Sequence, residues 1–163
     1  VSVAGGQERS DSGYVTERLA ELGVKLPAVA TPLAAYVPAV RTGNLVYTSG
    51  QLPLEGGQPT HSGKLGEEVT PEEGKIAART CALNALAAID ALVGVDSIVR
   101  VVKVVGFVAS APGFTGQPGV VNGASEFLGQ VFGDSGAHAR SAVGVAELPL
   151  GVPVEVELIV EVA

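Results

Sequence analysis

Two residues of opposite charge in the last quarter of this chain have the types that small-molecule chemistry needs. Arg140 opens the run Arg140-Ser-Ala-Val-Gly-Val-Ala146, and Glu155 stands near the start of Val154-Glu-Val-Glu-Leu-Ile-Val160. A guanidinium is planar, stays charged, and holds a carboxylate through two parallel hydrogen bonds. A carboxylate flanked by valines can orient a water or take its proton. Taken alone, Arg140 reads equally well as a strand-end arginine paired with surface acids. Glu155 alone reads more often as a solvated strand residue. The two runs, joined through Leu148-Pro-Leu-Gly151, predict an antiparallel hairpin. In such a hairpin Arg140 lies at the far end of one strand and Glu155 near the start of the next. They then need not touch as cross-strand neighbours, yet can still serve one small site, with or without a second subunit.

Other reactive residue types carry weaker signals. Tyr36 fits an ordinary strand aromatic, and Asn122, near the start of a helix, fits a cap. Cys81 falls on the apolar stripe of a helix, which predicts core packing. His61 and His138 lie in loops without ligand spacing, so no metal site is expected. The Gly/Pro-rich loop 110–119 lacks both the Gly-Lys-Ser/Thr and the dinucleotide spacing, which argues against phosphate binding. No cofactor is expected.

The elements that must position these residues follow from periodicity. Residues 1–13 are polar and Gly-rich and predict a loose arm. Val15, Leu19 and Leu22 recur at helical spacing, with Thr16 near the start and Gly23 as the stop. Tyr36–Arg41 and Leu45–Ser49 predict two short strands around a Thr42-Gly43-Asn44 turn. Residues 56–66 predict a polar loop. Thr70-Pro-Glu-Glu73 is a strong helix start, with an N-cap residue, proline in the first turn and acids where the helix dipole favours them. That helix runs to about Leu92 and Gly94 ends it, with Ile76, Cys81, Ala85, Ala88, Ile89 and Leu92 as its apolar stripe. Ile98–Ala109 predicts a strand buried on both faces. Residues 118–132 predict a second long helix through Val120, Val121, Ala124, Phe127, Leu128 and Val131.

After the short first helix the order is therefore β-β-α-β-α-β-β. Two helices cover one face of such a sheet, an α+β arrangement with the other face bare. On the last strand Val154, Val156, Leu158 and Val160 should pack under the helices, leaving Glu155, Glu157, Ile159 and Glu161 outward. Neighbouring strands are too apolar to face water, so self-association of the bare face is expected.

Composition narrows the function classes. The chain has 163 residues, 47% of them apolar, which is enough for one domain with one core. A formal charge of −7 with ten scattered basic residues argues against a nucleic-acid partner. One cysteine fits a reducing compartment, and Ile98–Ala109, the longest apolar stretch, is broken by Arg100 and Lys103. No signal-peptide pattern is visible, so a cytoplasmic location and no membrane contact are expected.

Several segments together resemble the Rid/YjgF family, also called L-PSP. They are Asn44-Leu-Val-Tyr-Thr-Ser-Gly-Gln-Leu-Pro53, Ile98–Val108, Asn122, Ala139-Arg-Ser-Ala-Val-Gly-Val-Ala-Glu-Leu-Pro149 and Val154-Glu-Val-Glu157. They cover residues 32–162, with the helix at 15–23 as an addition that looks like a longer branch of the family. The resemblance implies a single domain with a chorismate-mutase-like fold, forming a homotrimer with clefts between subunits. It implies hydrolysis of reactive 2-enamine and 2-imine acids, such as 2-aminoacrylate, to 2-keto acids and ammonia. It places the substrate-binding arginine on Arg140 and the water-positioning glutamate on Glu155. Tyr36, Ser49 and Asn122 fall on the cleft tyrosine, hydroxyl and asparagine. Ala142 stands where the family often has cysteine, leaving a backbone N–H role there but no thiol chemistry. Ala34-Ala35 replaces the usual Gly-Pro before Tyr36. Two other functions share the pattern: a non-catalytic trimer that binds small carboxylates or partner proteins, and an endoribonuclease or translation inhibitor.

Overall fold

A computed structural model describes residues 13–163; the arm expected at 1–13 lies outside the described residues except for Gly13. The elements are α1 (Tyr14–Glu21), β1 (Ala39–Thr42), β2 (Leu45–Thr48), β3 (Leu54–Glu55), β4 (Gln58–Pro59), α2 (Pro71–Val93), β5 (Ile98–Ala109), α3 (Gln117–Phe132), β6 (Ala139–Val145) and β7 (Val154–Val162). The main sheet has strand order β1-β2-β7-β5-β6, and β3 and β4 form a separate small ribbon. This is a mixed α+β fold with α2 and α3 on one face of the sheet.

The helix starts follow the local chemistry. Thr70 caps α2 through a reciprocal pair of bonds, its hydroxyl accepting from the Glu73 amide while the Glu73 carboxylate accepts from the Thr70 amide. Gly94, at φ 82°, ends the helix. At α1 the expected entry through Thr16 takes a different form. The N-cap is Gly13, and Asp96 accepts from both the amide and the hydroxyl of Thr16. That contact ties α1 to the turn that precedes β5.

Burial along α2 corrects the expected stripe. Cys81, Ala85, Ala88 and Ile89 are buried, but Ile76 is 60% exposed and Leu92 is 46% exposed. The buried face is instead made of small residues, including Ala77, Ala78 and Ala82. Small side chains let the helices approach closely: a Cβ added at Gly123 of α3 would lie 2.0 Å from the Lys75 carbonyl oxygen of α2. Among the described residues α2 is also the one helix long and apolar enough to cross a membrane by length and composition. Most of it is buried against the sheet and α3, which accounts for its apolar character. On α3 all six expected residues, Val120 to Val131, are buried.

The last strand packs as its alternation predicts. Val154, Val156, Leu158 and Val160 are at most 1% exposed under the helices, while Glu155, Glu157, Ile159 and Glu161 are half-buried on the other face. On β5 only one face is fully covered. Val101, Val104 and Val108 are buried, whereas Val102 and Val105 are half-buried and Val99 is exposed. The expectation of burial on both faces therefore does not hold within one chain.

The terminal hairpin is also corrected. β6 and β7 do not pair; β5 lies between them, parallel to β6 and antiparallel to β7. A long Val-rich strand offers two edges, and β7 gains neighbours on both sides when it sits between β2 and β5. The Pro-Leu-Gly connection also lacks the two-residue turn chemistry of a tight hairpin. It carries a 3-10 turn in which Leu150 takes φ 59°, and the chain passes over the end of β5. There Ala109 donates to the Pro153 carbonyl and Ser110 donates to that of Val145. Two smaller readings change as well. Tyr36 precedes β1 instead of lying on it, and the expected loop 56–66 contributes β4.

The close helix contact gives a paired test. Gly123→Ala should destabilise the fold by about 1–3 kcal/mol or more, because backbone must move to admit the methyl. Gly129→Ala, where nothing lies within 4 Å of the added Cβ, should instead stabilise by about 0.5–1 kcal/mol. Chemical denaturation of both variants checks the signs.

Candidate active site

The structure divides the expected residues into two groups. Arg140 on β6 registers with Val104 on β5, and Val104 in turn registers with Leu158. Both partners are buried under the helices, so Arg140 points to the helix-covered side, at the edge strand. There α3 braces it. Nη1 donates to Asn122 Oδ1 at 2.7 Å and to Ser125 Oγ at 3.2 Å, and Nη2 donates to the Pro118 carbonyl at 3.3 Å. Both Nη1 hydrogens are thereby spent on α3. Among the described residues, Nε–H and the second Nη2 hydrogen meet no partner. Nε and Nη2 share one edge of the guanidinium, and that edge has the geometry of a carboxylate-binding fork. Asn122 thus holds Arg140, and Ala142, two residues on, faces the same way on β6.

Glu155 belongs to the other face. It registers with Phe107, which registers with Val143. Side chains alternate along a strand, so residues registered with Val104 and with Phe107 point oppositely. Two strand spacings and three residues separate Arg140 from Glu155, about 10 Å in each direction. Within one chain they cannot meet on one ligand.

Around Glu155 is a cavity of about 240 Å³ lined by Leu33, Ala34, Tyr36, Gln51, Leu52 and Pro149, among others. Gly50 makes room for the carboxyl group: a Cβ there would lie 2.8 Å from Glu155 Cδ. The Tyr36 hydroxyl accepts from the Leu33 amide at 3.3 Å, folding residues 33–36 over the cavity. Ser49 does not donate into this space. Its hydroxyl donates to the Val37 carbonyl at 2.6 Å and its amide to that of Pro38, bracing the segment that carries Tyr36.

Burial pushes the Glu155 carboxyl above its ordinary range, and the like charge of Glu157 on the same face adds to the shift. A carboxylate in that condition is a better proton acceptor than an exposed one. Cys81 is raised far more, chiefly by burial; its thiol faces the Val154 carbonyl inside the core, as a packing residue should. No group of His, Cys, Asp and Glu among the described residues could hold a metal ion.

Sequence reading missed Ser125 and His138. The Ser125 hydroxyl touches both Arg140 and His138 Nε2, the latter at 2.9 Å. A signal was present in His138-Ala-Arg140, because residues two apart on an extended chain share a face. Gln51, 5% exposed beside the Glu155 cavity, was also passed over.

Comparison with known proteins agrees with this architecture. Residues 27–162 match the family described as Endoribonuclease L-PSP. Protein TCP17 of Trypanosoma cruzi is 47% identical over 152 residues, covering 92% of this chain and 95% of its own. The crystal structure of Atu1372 from Agrobacterium tumefaciens, a protein of unknown function, superposes with a TM-score of 0.86 at 44% identity, covering 94% of this chain and 95% of that one. The YjgF gene product of E. coli superposes with a TM-score of 0.59 at 27% identity, covering 83% of this chain and 98% of its own. The mixed sheet with paired helices on one face is an L-PSP-type fold. The chain belongs to the Endoribonuclease L-PSP family, the group also called Rid/YjgF.

The pKa direction at Glu155 has a consequence with a definite sign. As pH rises past the ordinary glutamate range the unfolded chain ionises first, so the folded state loses stability until Glu155 itself ionises. Glu155→Gln should therefore raise Tm at neutral pH and leave it unchanged near pH 3, after correction for the rest of the chain. In carbon-detected NMR titrations Glu157→Gln should lower the Glu155 midpoint. An unchanged midpoint would remove Glu157 as a cause.

Proposed function

We propose that this protein hydrolyses reactive 2-imino acids, and the enamines that tautomerise to them, to 2-keto acids and ammonia. The observation that carries the reading is the bracing of Arg140: Asn122 and Ser125 hold Nη1 and Pro118 holds Nη2, so the guanidinium is fixed with its Nε edge turned to a ligand carboxylate. The fork orients a 2-imino acid by its carboxylate and presents C2 to the opposite wall. Glu155 is that wall, contributed by a neighbouring copy of the chain, since one chain holds the two residues on opposite sheet faces. The resemblance to Rid/YjgF proteins favours a cyclic homotrimer with three such clefts.

The chemistry asks little beyond this. Water adds to C2 of the imine while Glu155 accepts one of its protons and returns it to nitrogen, giving a carbinolamine. Glu155 then takes the carbinolamine hydroxyl proton and passes it to the same nitrogen as the C–N bond breaks, so that ammonia leaves with the keto acid behind. No electron changes hands and no cofactor enters. Imine hydrolysis is intrinsically easy, so holding the substrate and one water supplies most of the acceleration. The cavity beside Glu155 is lined mainly by apolar side chains, which suits a short aliphatic substrate side chain.

The family description also includes the endoribonuclease reading. A net charge of −7 with scattered basic residues weighs against RNA contact. A non-catalytic carboxylate-binding trimer would keep the Arg140 fork but show no turnover.

A coupled assay with freshly generated 2-iminopropanoate separates these readings. Wild type should release keto acid faster than buffer and should not cut RNA. Arg140→Ala should raise KM roughly 30-fold or more, because a charge-assisted pair is lost. Arg140→Lys should rescue poorly, since a point charge cannot reproduce the fork. Glu155→Gln should keep ligand binding while kcat falls by about 10²-fold or more, and Glu157→Gln should fall less. RNA cleavage that depends on Arg140, with no imine turnover, would reverse the assignment.

A further inference from the structure

We propose that His138, acting through Ser125, positions the Arg140 guanidinium for its ligand and so sets affinity for the substrate carboxylate. The inference rests on the reading of Arg140 as the carboxylate clamp and adds a residue pair behind it. The donors and acceptors form one directed chain. His138 Nδ1 lies 2.6 Å from the Gly136 carbonyl oxygen, which can only accept. Nδ1 therefore carries the hydrogen, and in the neutral ring Nε2 is an acceptor. Ser125 Oγ, 2.9 Å away, must donate its hydrogen to Nε2. Its lone pairs are then turned to the remaining neighbour, Arg140 Nη1 at 3.2 Å. The serine hydroxyl, free to rotate in most settings, is locked as an acceptor for the arginine.

The far end of this chain is fixed by packing. Gly136 is buried, and a Cβ there would lie 2.7 Å from the Leu128 carbonyl oxygen of α3. The carbonyl that orients His138 thus stands against the same helix that supplies Asn122, Ser125 and Pro118. A guanidinium held by Asn122 alone could swing about that contact. The Ser125 and Pro118 contacts fix its plane, and a bidentate fork tolerates only about 10–20° of misalignment. Neither Ser125 nor His138 is fully buried, so water can replace their bonds if one is lost. Loss of the relay should then loosen Arg140 without unfolding the protein.

The test uses calorimetric titration of 2-ketobutyrate, a stable product-like carboxylate, beside steady-state kinetics with 2-iminobutanoate. Ser125→Ala and His138→Ala should each weaken 2-ketobutyrate binding and raise KM by about tenfold, with kcat within about twofold of wild type. The double variant should be no worse than Ser125→Ala alone, because the two residues act in series. His138→Gln should recover to within about threefold of wild type, since an amide oxygen can accept from the Ser125 hydroxyl. Ser125→Ala, an alanine within a helix, keeps the test open should His138→Ala not fold. Additive losses, unaltered binding in Ser125→Ala, or a His138→Gln no better than His138→Ala would overturn the relay. Arg140→Ala separates the two levels: if it binds 2-ketobutyrate as wild type does, the clamp reading itself fails.

Discussion

Val104 and Phe107 stand three residues apart on β5, and that odd interval sets where Arg140 and Glu155 can point. Because side chains alternate along a strand, the residue registered with Val104 and the residue registered with Phe107 must point to opposite faces. The first is Arg140 on β6 and the second is Glu155 on β7. Shifting β7 by one residue would bring the two charges to one face, but it would also turn a row of apolar side chains out of the core. Val154, Val156, Leu158 and Val160 hold β7 in place by their burial. The core thus keeps the two residues on opposite faces of one chain, and the proposed cleft needs a second copy to bring them together.

The same core also aims the arginine. α3 lies close to α2 because Gly123 has no side chain opposite the Lys75 carbonyl, and close to β5 because Gly106 leaves space for Val121. That position brings Asn122, Ser125 and Pro118 within reach of a guanidinium on the edge strand. An arginine on an unsupported edge strand would spend its rotamer entropy on binding each ligand. Here helix packing has fixed the side chain beforehand. On the opposite face burial and a neighbouring carboxylate raise Glu155. The two residues of the proposed site therefore gain their properties from different structural causes.

Much of this was legible in the residues. The alternation on β7 revealed its buried face, the spacing of Val120, Val121, Ala124, Phe127, Leu128 and Val131 revealed the buried face of α3, and Thr70-Pro-Glu-Glu73 revealed where α2 begins. Strand pairing was not legible, since a Val-rich run states which side is apolar and not which edge it joins. Proximity in sequence suggested a β6–β7 hairpin, whereas β5 offered both strands a longer ladder. The α2 stripe was misread because large residues draw attention; there the packing surface is alanine, and Ile76 and Leu92 face outward. His138 looked inert as a loop histidine because its meaning lies in Ser125, a helix residue that only tertiary packing brings near. Tyr36 and Glu155 do share a cavity, while Ser49 is turned to the backbone of the loop beside them.

The account stands on one claim, that Arg140 of one copy and Glu155 of another serve a single ligand. Co-expression of an Arg140→Ala chain with a Glu155→Gln chain tests it directly when assayed at substrate well below the wild-type KM, where each variant alone is nearly inactive. In randomly mixed assemblies a site is intact when the copy giving the arginine and the copy giving the glutamate are both unmutated at those positions. Turnover of 2-iminopropanoate should then recover to about a quarter of wild type. Mixed assemblies no more active than the two single variants would contradict the account.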